Sequence, residues 1–322
     1  MSTLAQRSNV VYTLASGFKR ILRQDGSLVT PPWGIGPIAA NSSVVVFLPS
    51  TGDLEVYQSD DLSLPLIGSI PRPSGSALAS PRLFPNGDLA VTGRDTGSGL
   101  PEFVKVWDGS SWTRYPSSGV LGTSPNPNVI TPDSGGGGVY YYWGQGTAPY
   151  PLKHYEFGSG AITTIWEPNV DITHTGYYEL VGTTASVVDL GDTTLLVTMQ
   201  DALTRTLPSS SQVFNTAFDG LYRIHNDGTY LAHITFSGYG PVKWVTRDAI
   251  GSIWCTAVNT TTTATEILRI ALDGTLLDSY PLSPAAAGYE LWGGPTLGPP
   301  TPVSGGWRLG KLGLGPRTGG WS

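Results

Sequence analysis

The chain has 322 residues, only 13% of them charged, against about 25% in an average globular protein. Its net charge of -6 excludes a broad nucleic-acid surface, which needs clustered Lys and Arg, and its 10 Trp and 15 Tyr exclude an aromatic-poor disordered chain despite 42 Gly and 26 Pro. A single cysteine, Cys255, excludes an internal disulfide and a multi-cysteine zinc site.

The apolar neighbours Ile253, Trp254 and Ala257 predict a buried strand thiol at Cys255. Met1 to Asn9 lacks the apolar core of a signal peptide, and no run approaches the roughly 20 apolar residues of a membrane helix. The expectation is a soluble protein made in a cytoplasm, with no membrane insertion and no nucleic-acid partner. Asn41-Ser42-Ser43 and Asn259-Thr260-Thr261 match the glycosylation sequon and are read as chance in a Ser/Thr-rich chain.

In chain order the sequence parses into six units, each ideally four strands. The first holds Val10 to Leu14, Phe18 to Leu22 and Ser27 to Thr30. The second, Pro37 to Pro71, has strands near Val44 to Leu48, Leu54 to Tyr57 and Leu66 to Ile70. The third, Leu78 to Pro116, has Asp88 to Thr92, Phe103 to Trp107 and Ser111 to Tyr115, with a turn at Asp108-Gly109. The fourth, Val129 to Trp166, has Val139 to Trp143, Leu152 to Phe157 and Ala161 to Trp166, with Gly158-Ser159-Gly160 in the turn. The fifth, Tyr178 to Phe236, has Ser186 to Leu190, Thr194 to Met199, Leu221 to Ile224 and Tyr230 to Phe236. The sixth, Val242 to Leu282, has Val242 to Thr246, Ser252 to Ala257, Glu266 to Ile270 and Leu276 to Tyr280.

A short hairpin motif recurs in three of these units. Leu221 to Leu231, Ile267 to Leu277 and, more diverged, Phe18 to Leu28 each place an Asp-Gly turn between two apolar runs. The runs at Leu195-Leu196-Val197 are apolar on both faces, as in a strand packed on two sides. The first unit lacks an innermost strand, and Gly288 to Trp292 follows the sixth with no partners of its own. Pairing the two closes a ring and hides sheet edges. The fold expected is therefore an all-β, six-bladed β-propeller over residues 1–294, give or take one blade, with one blade built from both chain ends. A β-sandwich is the rival.

Gly251-Ser252-Ile253-Trp254, followed by Leu268-Arg269-Ile270 and Asp273-Gly274-Thr275, resembles the blades of NHL and streptogramin-lyase-like propellers. The likeness covers the last two units. It implies the fold and transfers no chemistry.

Chemistry-bearing residues are sparse. None of the four histidines, His154, His174, His225 and His233, sits in a metal-ligand spacing. His174 lies in the connection from Glu167 to Tyr177, with Asp171 before it and Tyr177 and Tyr178 at and beyond its end. These residues form a candidate ligand loop, with a solvated loop histidine as the plainer reading. The lyases use His and acidic residues around a metal, but those positions have no match here. Propeller lactonases, a looser resemblance, bind a metal through acidic and Asn residues. Asn128, Asp133, Asp189 and Asp248 are the corresponding types and are read as surface turn residues. Neither a metal nor a cofactor is expected. Gly135 to Gly138 is read as a flexible turn, and Tyr140-Tyr141-Tyr142-Trp143 as core rather than a stacking platform.

Residues 295–322 change character. A Gly/Pro linker leads to Trp307-Arg308-Leu309-Gly310-Lys311-Leu312-Gly313-Leu314-Gly315 and on to Trp321. Trp307, Arg308, Leu309, Lys311, Leu312, Leu314 and Trp321 are the candidate partner-binding residues, because exposed apolar clusters mark interaction sites. The Leu309 to Gly315 pattern resembles segments of bacteriophage tail and virion proteins. That resemblance implies a non-enzymatic virion component whose propeller is a rigid platform and whose tail docks on other virion proteins. A host-glycan or receptor-binding propeller and a lyase- or lactonase-like enzyme are the alternatives.

Overall fold

The computed structural model describes residues 9–13, 19–23, 28–29, 32–33, 38–40, 44–58, 65–74, 76–84, 86–94, 102–118, 121, 127–143, 151–167, 179–205, 213–214, 216–247, 253–281 and 290–291. Among them β1 (Asn9–Thr13), β2 (Lys19–Arg23) and β3 (Leu28–Val29) come first. They are followed by β4 (Ile38–Ala40), β5 (Val44–Phe47), β6 (Leu54–Gln58) and β7 (Leu66–Ile70). The next group is β8 (Ser76–Leu83), β9 (Leu89–Arg94), β10 (Glu102–Trp107) and β11 (Trp112–Tyr115). Then come β12 (Pro127–Pro132), β13 (Gly138–Trp143), β14 (Leu152–Glu156) and β15 (Ile162–Trp166). β16 (Glu179–Asp189), β17 (Thr194–Arg205), the short β18 (Val213–Phe214), β19 (Gly220–His225) and β20 (Tyr230–Ile234) form another group. The series ends with β21 (Trp244–Arg247), β22 (Ile253–Val258), β23 (Thr265–Ile270), β24 (Leu276–Pro281) and β25 (Glu290–Leu291).

Each consecutive group is one antiparallel sheet, and the chain is a β-propeller. Five blades, β4–β7, β8–β11, β12–β15, β16–β20 and β21–β24, are defined by their side-chain cores. The innermost strands β4, β8, β12, β16 and β21 lie side by side in that order. A further sheet is described by its backbone: β25 pairs with β1 through Tyr12↔Leu291 and Thr13↔Glu290, and β1, β2 and β3 continue it.

The blades pack through both faces, which explains the continuous apolar runs. In β17, Leu195 and Val197 join Trp166, Tyr140 and Tyr222 on one side, while Leu196 joins Val245, Cys255 and Leu268 on the other. Tyr140 and Tyr141 likewise enter opposite cores, as expected. Trp166 and Trp254 are among the largest fully buried side chains, and truncating either to Ala would cost about 3–5 kcal/mol. The outer strands β7, β11, β15, β20 and β24 are the partly solvated ones.

The Asp-Gly repeat folds the same way in both described copies. His225 N–H donates to Thr229 O and Gly228 N–H to His225 O; Ala271 to Thr275 and Gly274 to Ala271 repeat it. Asp227 Oδ1 accepts from Thr229 N–H, and Asp273 Oδ1 from Thr275 N–H, each at 2.9 Å. Gly228 and Gly274 sit at φ +92° and +91°, where a side chain is strained. The third copy's turn, Asp25-Gly26, lies outside the described residues.

Two expectations need correction. The fifth unit's first hairpin is longer than its apolar core. Glu179↔Arg205 through Thr184↔Met199 extend it past the blade, and β18 adds to its edge at Leu203↔Phe214. The extension scatters Leu180, Val181 and Leu203 among Thr, Gln and charged residues, so alternation carried no signal there. In addition, β4, β8 and β12 fall at positions where no strand had been assigned: β4 is short, β8 pairs with shifts of register, and β12 carries two prolines and a bulge.

Candidate functional site: the polar seam between blades

Several of the described polar residues lie where one blade meets the next. At the end of β12, Asp133 closes the glycine turn: its N–H donates to Gly138 O, its Oδ1 accepts Gly137 N–H at 2.9 Å, and its Oδ2 meets His154 Nε2 at 3.0 Å. A Cβ on Gly138 would lie 2.3 Å from Tyr155 O and 2.7 Å from His154 Nε2, so this position admits only glycine. The run Gly135 to Gly138, read as a flexible turn, is thus a turn with its N–H groups held. Tyr140 packs on His154 with ring centroids 4.8 Å apart. Its phenol is pushed well above its usual value by burial and by the charges of Asp189 and Asp133, so it stays protonated.

Asp189 ends β16. It is 5% exposed, which corrects the expectation of a surface turn residue. Its Oδ2 accepts Ser134 N–H from the preceding blade at 2.8 Å, and its Oδ1 accepts Gly191 N–H from its own turn at 2.8 Å. The same strand holds both neighbours. Thr131 Oγ1 donates to Val187 O at 2.7 Å, Val245 N–H to Ser186 Oγ at 2.7 Å, and Arg247 Nη1 to Leu190 O at 2.8 Å. Nearer the N-terminus, Lys105 Nζ donates to Ser74 O and Oγ, and Trp112 Nε1 to Pro71 O at 2.7 Å. The seam is a row of blade-to-blade clasps.

Its chemistry is that of fastening. The Asp133–His154 pair has the geometry to orient an imidazole, but Asp133 is also committed to its turn and Tyr140 covers the ring. Among the described residues no group of three His, Cys, Asp or Glu is arranged for a metal ion. His233 stacks on Tyr222 at 4.5 Å and 4°, and burial holds its pKa below the usual value. Cys255 is fully buried, and burial pushes its thiol far up, as an inert core thiol requires. Asn259, in the second sequon, donates its amide to Glu266 Oε1 at 2.9 Å.

The other predicted site residues lie elsewhere. Asp171, His174, Tyr177 and Tyr178, Asp248, and the whole tail group Trp307, Arg308, Leu309, Lys311, Leu312, Leu314 and Trp321 are outside the described residues. Asn128 falls at the bulge in β12. The clasps at Ser186, Thr131 and Arg247 were not singled out from sequence. Their only local signal is a polar residue in or ending an apolar inner strand.

No family model matches the chain, and no curated protein matches it. Among solved structures the fold is similar to TolB from Acinetobacter baumannii, with a TM-score of 0.52 and 12% identity over 89% of this chain. The chain spans 66% of that protein, just under two thirds of its length. TolB from Agrobacterium tumefaciens (TM-score 0.47, 11% identity, 91% of this chain and 93% of that one) is also similar. So is a Bacteroides caccae protein of unknown function (0.47, 14%, 89% and 98%). At such identities the likeness shows the β-propeller fold alone. It brings no support for the narrower NHL or bacteriophage resemblance.

Proposed function

We propose that this protein is a non-enzymatic interaction platform, a structural component of a virion, in which a rigid propeller presents the segment after it to a neighbouring subunit. The observation that carries the reading is the seam: its described acid, base and hydroxyl groups are engaged in fastening the fold, Asp189, Ser186, Thr131 and Arg247 between blades and Asp133 with His154 within one. In the same reading the propeller has six blades. β25 supplies the inner strand of the β1–β3 sheet, and its position beside β21 supports closure of the ring by the two ends of the fold. Residues 295–322 are then a docking tail on a closed support.

The test compares the full chain with one ending at Pro300, for folding and for co-purification with large assemblies. A shortened chain that folds but no longer joins an assembly is the expected result. Unchanged assembly would refute the docking role and turn attention to the loop around His174. Glycan binding lost on substituting Tyr177 or Tyr178 would favour a receptor binder instead.

A further inference from the structure

We infer that the groove beside the free edge of β7 seats the segment Trp307–Gly315 of a second copy of this chain, an inference that rests on the docking role proposed above. The groove has a volume of about 530 Å³ and is lined by Asp53, Glu55, Leu66, Ile67 and Ser69, among others. Among the described residues β7 pairs only with β6, so one side of its backbone has no described strand beside it and can take a further one. Leu66, on this edge, is 54% exposed, the highest value among the large apolar side chains described.

Charge selects the occupant. Residues 293–322 contain Arg308, Lys311 and Arg317 and no acidic residue. Removing those three from 18 Lys and Arg leaves 15 against 24 Asp and Glu, a net charge of -9 for residues 1–292. The segment is therefore the basic complement of an acidic body. In the groove, Glu55 accepts from Tyr57 O–H and Asp53 from Arg72 N–H at 3.2 Å, and neither carboxylate has a cation partner among the described residues. Arg72 is spent on the groove's wall, its Nη1 donating to the backbone oxygens of Pro49 and Gly52 rather than to either carboxylate. On an added strand Arg308, Leu312 and Leu314 share one face and Leu309 and Lys311 the other, so either face brings a cation to the carboxylates and a leucine to Leu66 or Ile67. Residues 293–306 reach about 45 Å when extended, enough to cross to a neighbour. Tail into groove is a heterologous contact, and repeated from copy to copy it builds a ring or a filament.

The test uses full-length chains. Leu66→Cys and Leu309→Cys are made separately and mixed under mild oxidation; Cys255 is buried and stays silent. A cross-linked pair in the mixture, absent from either variant alone, is expected. Adding Glu55→Gln to the Leu66→Cys chain keeps the acceptor for Tyr57 and slows cross-linking about threefold at low salt, a difference that fades at high salt. Ser69→Cys with Lys311→Cys is the second pair, should the first perturb folding. A link formed only within a doubly substituted chain would overturn the inference in favour of the chain's own tail. No link from either pair would overturn the groove. If deletion after Pro300 still abolishes assembly, the docking role survives that failure; if deletion has no effect, both fall.

Discussion

The outer hairpin turns and the inner seam are built from the same chemistry, a side-chain oxygen accepting backbone N–H groups, yet they differ in reach. Asp108, Asp227 and Asp273 bind N–H groups two or three residues away, at the solvent-exposed ends of hairpins. Asp189 and Ser186 bind N–H groups of Ser134 and Val245, 55 and 59 residues away, the first bond part-buried and the second buried. The first kind shapes a hairpin and leaves its neighbours alone. The second fixes one blade against the next, and water cannot substitute for it.

The sharpest test of that contrast is Asp189→Ala. It strands Ser134 N–H and Gly191 N–H together, and we expect a loss of about 3 kcal/mol in urea unfolding. The rate of Cys255 thiol labelling, which needs the core to open, should rise in step. An unshifted midpoint would mean that the clasp is ornamental and that the apolar cores alone set the blade contacts.

The difference in reach also explains what the sequence revealed. Asp227-Gly228 and Asp273-Gly274 are legible because the turn's donors, acceptor and positive-φ glycine lie within five residues. Strands such as Val44–Phe47 and Leu195 to Val197 are legible because apolar runs announce two-sided packing. Asp189 looked like any turn aspartate, since nothing nearby tells that Ser134 from another blade will sit on it. His154 looked like a strand histidine, and its partner Asp133 is fixed only by the register of β13 and β14. The extension of β16 and β17 stayed hidden because its few apolar residues, Leu180, Val181 and Leu203, do not alternate and the backbone pairing leaves no pattern of its own. For the tail and the His174 loop, sequence remains the source of the reading.

Ser186→Ala sharpens the comparison at one bond. Val245 N–H loses its acceptor and Thr198 Oγ1 loses a neighbour at 3.2 Å, so we expect about 2 kcal/mol in the same unfolding assay. Thr131→Val, which removes the donor to Val187 O, should cost less, because a carbonyl tolerates a lost partner better than an N–H does. A Ser186 variant as stable as the parent would show that the two blades adjust to each other without the clasp.

On the outer side, Gly274→Ala forces a residue with a Cβ to φ +91° and brings that Cβ to 3.2 Å from Ile234. About 1 kcal/mol is expected, below either seam substitution. A larger loss would mean that the turn between β23 and β24 also braces the preceding blade through Ile234.

The smallest effects are in pH, where the two regions separate by window. Burial lowers the pKa of His233 from its usual 6.5, so its neutral form is the one the fold favours. A group depressed by folding contributes stability that is whole above its unfolded pKa and is lost as pH falls toward its folded one. Stability should therefore begin to fall below pH 6.5, and His233→Phe, which keeps the stack on Tyr222, should remove that early decline. The turn aspartates act later. Backbone N–H groups hold Asp108 down to about 2 and lower Asp227 and Asp273 as well. Their contribution is whole above about pH 4 and drains away toward pH 2. Replacing all three by Asn keeps an acceptor at each turn but removes the titration, so the acid limb between those values should flatten while the limb starting at 6.5 persists. Thermal melts of the parent, the His233 variant and the triple variant from pH 7 to 2 resolve the two limbs. If the triple variant moved the upper limb, turn and blade would be coupled, and the local character assigned to these hairpins would be wrong.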